Sequence, residues 1–432
     1  MNPFAAAPLA PAALALALGL LLLAPMAIAG LALINTGLGR SRSAAQSLLG
    51  SLVVLSTAVV GFALVGAALA APSAGHTFTL AGKPWNWIGS DLLALTGLAA
   101  AAPRAQLVLL FECLAVALAV LIPWGSGADR LRLPAGAILA AVFAVLVFPL
   151  AAHWIWGGGW LVQLGLNFSL GDGFLDPGGA ASIHTLGGLA ALSVVWLTGP
   201  RRNKFPREGL STAVPGHNVV YVLFGCLIAL VGWLGFNMAG ALLFLSSAPA
   251  ALPVVAVNTL LSASAALMAA FTVTRIRFGK PDASLCANGW LAGLVTSSAC
   301  AALVSPRVAI LTGFVIGIVT PLLVEFFELA LSIDDPSGGL SVHAAGGLWG
   351  LLAAGFFAPD PGGHLAQLTA QLVGIAAILG LLFPITYLLF ALVNRILPLR
   401  AAPDGERLGM DLHELGGNAY PEFVVHRDDS YR

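Results

Sequence analysis

"DPGGAASIHTLGGL", from Asp176 to Leu189, returns later in the chain as "DPSGGLSVHAAGGL", from Asp335 to Leu348. Aligned without a gap, the two share Asp, Pro, a Gly, Ser, His, a Gly pair and Leu, with the histidine eight residues after the aspartate in each copy. The surrounding chain is very apolar: 59% of its 432 residues are hydrophobic and only 9% are charged. A soluble domain needs roughly a quarter of its residues charged, so that class is excluded. Apolar runs near the ~20 residues that a spanning helix requires recur along the chain. They are read here as about 12–34, 46–70, 105–124, 134–156, 178–199, 217–240, 253–274, 284–304, 308–332, 340–358 and 366–394. Backbone groups in lipid must be satisfied within their own segment, so these are helices. The expected fold is an all-α membrane protein of eleven transmembrane helices.

Basic residues orient it. With the N-terminus outside, sixteen of the nineteen Lys and Arg residues fall on the inner side, among them Arg40, Arg130, Arg201, Arg207, Arg275, Arg400, Arg427 and Arg432. Only Lys83, Arg104 and Arg307 fall outside, a strong positive-inside bias. The first segment is read as a span rather than a signal peptide, because no basic residue precedes it and it is long. Asp176 then opens the fifth helix from outside and Asp335 the tenth from inside. Five helices lie between the two starts, so the copies run in opposite directions. That is an inverted repeat of helices 1–5 and 6–10, with helix 11 added. The domain division follows: a transmembrane channel domain over 1–394, with halves at about 12–199 and 217–358 and helix 11 at about 366–394, then a cytoplasmic tail over 395–432.

Each Asp-Pro pair reads as a helix start, the aspartate capping free N–H groups and the proline occupying the first turn. Eight residues of α-helical rise place each histidine about 12 Å below its membrane face. In a core about 30 Å thick, His184 and His343 therefore meet near the midplane. Two unrelated polar residues, each bonded to a carbonyl, would be the plainer explanation. Symmetry-related ionisable groups at one depth point instead to a pathway. Gly187, Gly188, Gly346 and Gly347 would let those helices approach closely. No metal or cofactor is expected, since neither copy has further ligands at suitable spacing, and the four cysteines read as packing residues. Ser182 and Ser341 sit on a different helix face from the histidines, and no phosphate loop or nucleophile arrangement appears, so an enzyme is not expected. What remains is a polar pair in a narrow apolar lumen, able to bond a dehydrated solute and relay a proton. Membrane lipid is the expected environment, and no nucleic-acid partner is expected.

With these residues in view, the chain resembles the ammonium transporter (Amt/Mep/Rh) family. Besides the twin-histidine blocks, the resemblance rests on "WIWGGGW" (Trp154–Trp160), "GWLGFNMAG" (Gly232–Gly240), "NGWLAGLVTSSACAALVSP" (Asn288–Pro306) and the tail "GMDLHELGGNAY" (Gly409–Tyr420). It implies a plasma-membrane homotrimer with one pore per subunit and transport of ammonium or methylammonium past the twin histidines His184 and His343. Cation recruitment falls on Trp156, Phe111, Glu112 and Asp176, and the gate and lumen wall on Phe236, Trp233, Ala115 and Gly240. The tail implies a PII-type signal protein as a possible partner, although Leu415 and Gly417 stand where the family usually has His and Glu.

Three further departures bear on function. Ala115 replaces a gate phenylalanine, Gly240 replaces a hydroxyl-bearing residue, and Glu112 replaces an amide. The plainer reading pairs Glu112 with Arg104 and lets another side chain replace the lost ring. The sharper one is a wider, acidic vestibule for a bulkier organic cation, such as a methylated or quaternary amine, caged by Trp156, Phe111 and Phe236. A third reading is an ammonium sensor acting through a separate partner.

Overall fold

The computed structural model describes residues 9–71, 76–91, 95–206, 211–358 and 364–421. Arg207, Arg427 and Arg432, counted above with the inner-side cations, lie outside the described residues. Ten helices are long and apolar enough to cross a membrane: Pro11–Leu38, Ser41–Ala70, Pro103–Ser126, Leu133–Phe168, Ala180–Thr198, Val219–Phe244, Pro249–Phe278, Pro306–Ala330, Gly339–Phe357 and Leu365–Ile396. The remaining one of the eleven, Ala283–Cys300, is an 18-residue helix that is less apolar than the rest. Its Asn288, Thr296, Ser297 and Ser298 are buried, so it faces sister helices rather than lipid. Several of these helices open on proline, as at Pro103 and Pro306, where the missing N–H costs no bond. The first span bends where Leu22–Ala24 separate Pro11–Leu21 from Pro25–Leu38.

The two halves run antiparallel as an inverted repeat, and their opening helices, Pro11–Leu38 and Val219–Phe244, pack together through glycine. A Cβ at Gly30 would stand 2.6 Å from the Ala229 nitrogen and the Gly225 carbonyl oxygen, and one at Gly232 would overlap Ala27. Only bare backbone permits that approach. The repeat helices hold the centre: 83% of the Ala180–Thr198 window is buried and 67% of Gly339–Phe357, against 22% for the peripheral Leu365–Ile396.

Each end of the bundle has its own cover. At the end carrying the N-terminus, a two-stranded antiparallel hairpin, His76–Leu80 and Lys83–Ile88, turns through Ala81 and Gly82, both at positive φ. This hairpin was not among the sequence expectations. Its Trp87 stacks on Trp160 at 5.3 Å and accepts the Trp154 indole N–H at 2.7 Å. At the other end, the tail lies across the helix termini. Asp411 accepts from the Ala45 and Gln46 amides at 3.1 and 2.7 Å, and Glu414 from the Leu133 amide at 2.9 Å. Beneath the tail, Arg201 binds Asp334 at 2.9 Å and Asp129 at 3.2 Å, while Arg130 donates to the Asp334 carbonyl at 2.8 Å. Burial pushes the Asp334 carboxyl up, but the Arg201 hydrogen bonds and the charges of Arg130 and Arg201 more than reverse this, holding it at about 2. The clasp fastens the end of the fifth helix to the start of the tenth.

Candidate functional site

His184 and His343 come together at the centre. Their Nδ1 atoms lie 3.2 Å apart, the rings sit 5.3 Å apart between centroids, and each residue is 1% exposed. Both stand in π-helical turns, Ala180–Thr185 and Gly339–Ala344, each preceded by a left-handed glycine: Gly179 at φ +88° and Gly338 at φ +73°. The close approach follows from a reciprocal contact. Gly188 lies on the backbone of the Gly339–Ala344 turn, and Gly347 on the Ala180–Thr185 turn, where any Cβ would overlap. Trp233 stacks on His184 at 5.2 Å and 8°, and its indole N–H is held by Ser298 Oγ at 3.1 Å.

A hydrogen bond between two Nδ1 atoms requires one to donate and the other to accept. In the neutral pair, therefore, one ring presents Nε2 as a bare acceptor and the other presents Nε2–H as a donor. Among the described residues, His343 Nε2 has no partner. The centre can thus offer a donor and an acceptor to a small solute.

The aspartates cap, but not as the sequence suggested. Each helix begins at the third residue after its Asp-Pro pair, so Pro177 and Pro336 lie outside the helices and the histidine is only the fifth helical residue. Asp176 reaches forward instead. Its Oδ2 accepts from the Ala181 amide at 3.0 Å, the Ser182 amide at 3.1 Å and Ser182 Oγ at 3.0 Å. Burial pushes its carboxyl up to about 6, against the downward pull of those donors. Asp335 mirrors it, accepting from the Leu340 amide at 2.8 Å and from Ser126 Oγ at 2.6 Å.

Above the centre lies a cavity of about 1100 Å³, lined by Glu112, Trp156, Asp176, Phe244, Arg104 and Asp172 among others. Its floor is a closed aromatic cluster. Phe111 meets Trp156, Phe236 and Phe244 edge-on at 5.1, 5.3 and 5.0 Å, and Phe244 stacks on Trp156 at 5.2 Å and 12°. The Trp156 indole N–H is given to the Asp176 carbonyl at 2.7 Å. The residues at the departures are placed as follows: Ala115 is fully buried, Gly240 packs on the Pro177 carbonyl with no room for a side chain, and Trp156 and Phe236 each meet Phe111 edge-on. The proposed pairing of Glu112 with Arg104 is not formed, since Arg104 donates to the Leu243 carbonyl. Phe244 was missed. Its spacing of eight from Phe236 on one helix is the signal that could have found it.

A paired polar group at the core of an apolar bundle, delivered by inverted halves and lying beneath a cavity, is the construction of a helical membrane transporter. The chain belongs to the Ammonium Transporter Family, whose model matches residues 14–420. It is similar to ammonium transporter Amt2 of Archaeoglobus fulgidus, 32% identical over 92% of this chain and 85% of that protein. The ammonium transporter of Bacillus subtilis is 31% identical over 74% of this chain and 77% of its own length. Among solved structures, a sensor Amt protein superposes with a TM-score of 0.84 at 26% identity, covering 93% of this chain and 98% of that one. Candida albicans Mep2 shares the fold, with a TM-score of 0.78 at 24% identity over 96% and 91%.

Proposed function

We propose that the protein is a transporter, not an enzyme, and carries ammonium and methylammonium across the plasma membrane through one pore in each subunit of a homotrimer. The N-terminus and hairpin face outside, and the tail faces the cytoplasm, where it is the docking point for a PII-type signal protein. The cation is recruited in the vestibule beside Trp156 and Asp176, passes Phe236 and moves along His184 and His343. One observation carries this reading: two buried imidazoles 3.2 Å apart in a bundle packed with apolar side chains. An ionisable pair at that depth is costly unless it serves a pathway. Ammonia both donates and accepts, so it matches the donor and acceptor Nε2 atoms that a neutral pair offers.

Currents from proteoliposomes bearing the His184→Ala/His343→Ala pair test the role. Flux or ion selectivity should change far more than thermal stability, and unchanged currents and selectivity reject it. The likeness to a sensor Amt protein favours a second reading, sensing through a separate partner. Ammonium binding without any current in the wild-type protein would select it.

A further inference from the structure

Glu112 is a buried carboxyl group that the twin-histidine account leaves unused. It stands nine residues into Pro103–Ser126, about 14 Å below the start of that helix. The residue is 6% exposed and lines the 1100 Å³ vestibule. Among the described residues it has no hydrogen-bond or ion-pair partner. A buried carboxylate without a partner is costly unless a ligand supplies one.

The other candidates for first contact are wholly or partly engaged. Trp156 has given its N–H to Asp176 and one face to Phe244. Asp176 is half engaged: its Oδ2 is held by three donors as a helix cap, and only Oδ1 is without a partner among the described residues, whereas neither oxygen of Glu112 is held. Gly240 has no room to carry a hydroxyl, and Arg104 is turned onto the Leu243 carbonyl, away from Glu112. Among the described residues no cluster of three or more acidic, His or Cys side chains could hold a metal ion.

We propose that Glu112 is the specificity-determining residue of the vestibule: its carboxylate binds the incoming cation through direct N–H···O bonds. It thereby selects amines bearing N–H donors over potassium and over fully alkylated amines. Charge-assisted bonds of this kind are short and directional, which a potassium ion or a tetramethylammonium ion cannot reproduce. The proposal rests on the vestibule being the cation's entrance.

Isothermal titration of the purified full-length protein with ammonium, methylammonium, tetramethylammonium and potassium chlorides tests it. Glu112→Gln should bind ammonium and methylammonium about tenfold or more weakly, the factor that one hydrogen bond to a charged group supplies. Glu112→Asp, which keeps the charge, should recover part of the loss. Unchanged ammonium affinity in Glu112→Gln overturns the proposal, as does wild-type binding of tetramethylammonium as tight as that of ammonium. Should Glu112→Gln fail to fold, infrared difference spectra of the wild type on adding ammonium decide instead. A perturbed carboxylate band that shifts in Glu112→Asp supports the proposal, and no perturbation overturns it. Currents of the histidine pair judge the pore reading separately, so the two failures are distinguishable.

Discussion

Substituting Gly188 by alanine should separate the histidine pair without touching either ring. A Cβ there would stand 2.6 Å from the Ala344 nitrogen and from the Gly339 carbonyl oxygen. Both obstacles are backbone, and ordinary contact begins at 3.4 Å, so the turn bearing His343 must retreat by about 0.8 Å, the difference of the two. His184 lies one helical turn before Gly188. A rigid shift of that size opens the Nδ1 separation from 3.2 Å to about 4.0 Å, beyond hydrogen-bond range. Overpacking of this kind costs about 1–3 kcal/mol, so the variant should fold with a lower melting temperature. Gly380→Ala is the control, since nothing lies within 4 Å of a Cβ there. Ammonium currents in proteoliposomes should fall by about ten- to a hundredfold for Gly188→Ala, the scale of a misplacement near 1 Å, and stay unchanged for the control. A folded Gly188→Ala protein conducting like wild type would refute the idea that conduction depends on the paired rings.

Phe244→Ala should uncover the Trp156 face and enlarge the vestibule floor. The ratio of methylammonium to ammonium uptake should then rise about tenfold, as when a filled pocket loses its discrimination against one methyl group, and an unchanged ratio rejects the stacked ring as a size filter. The Asp334 clasp should show itself in acid. Its folded carboxyl is depressed from 3.8 to about 2, so its stabilisation of about 2 kcal/mol is present above pH 4 and fades as pH falls toward 2. Melting temperatures of the detergent-solubilised protein should therefore drop through that window in wild type and change less in Asp334→Asn, which starts lower at neutral pH. Parallel curves for the two proteins would contradict the assignment.

Much of the architecture was legible because apolar run length and the repeated Asp-Pro-to-His spacing are direct consequences of membrane thickness and helix geometry. Even Ala283–Cys300, the least apolar helix of the eleven, was found from its flanking breaks. The π-turns were not, since an extra residue per turn leaves no mark on an apolar sequence whose face is already uniform. The surroundings of Gly240 were hidden for a related reason. A glycine records which side chain is absent but not which neighbour fills the space, and here the Pro177 carbonyl does so. Phe244 itself was hidden in the run "GALLF", where one more apolar residue looks like lipid contact. The hairpin was missed because its short alternation of Trp85 and Trp87 sits in a loop between two dominant spans.

The dyad at the heart of the bundle also has a thermodynamic corollary. Two backbones arranged as near copies still cannot hold one hydrogen between them evenly, so the ring pair acquires a sense of direction that its scaffold lacks. Reversing the sense takes two proton moves, the shared hydrogen crossing between the Nδ1 atoms and an Nε2 hydrogen returning through the bound solute, with no helix displaced. In heavy water the reversal should slow, while the scaffold stays as it was.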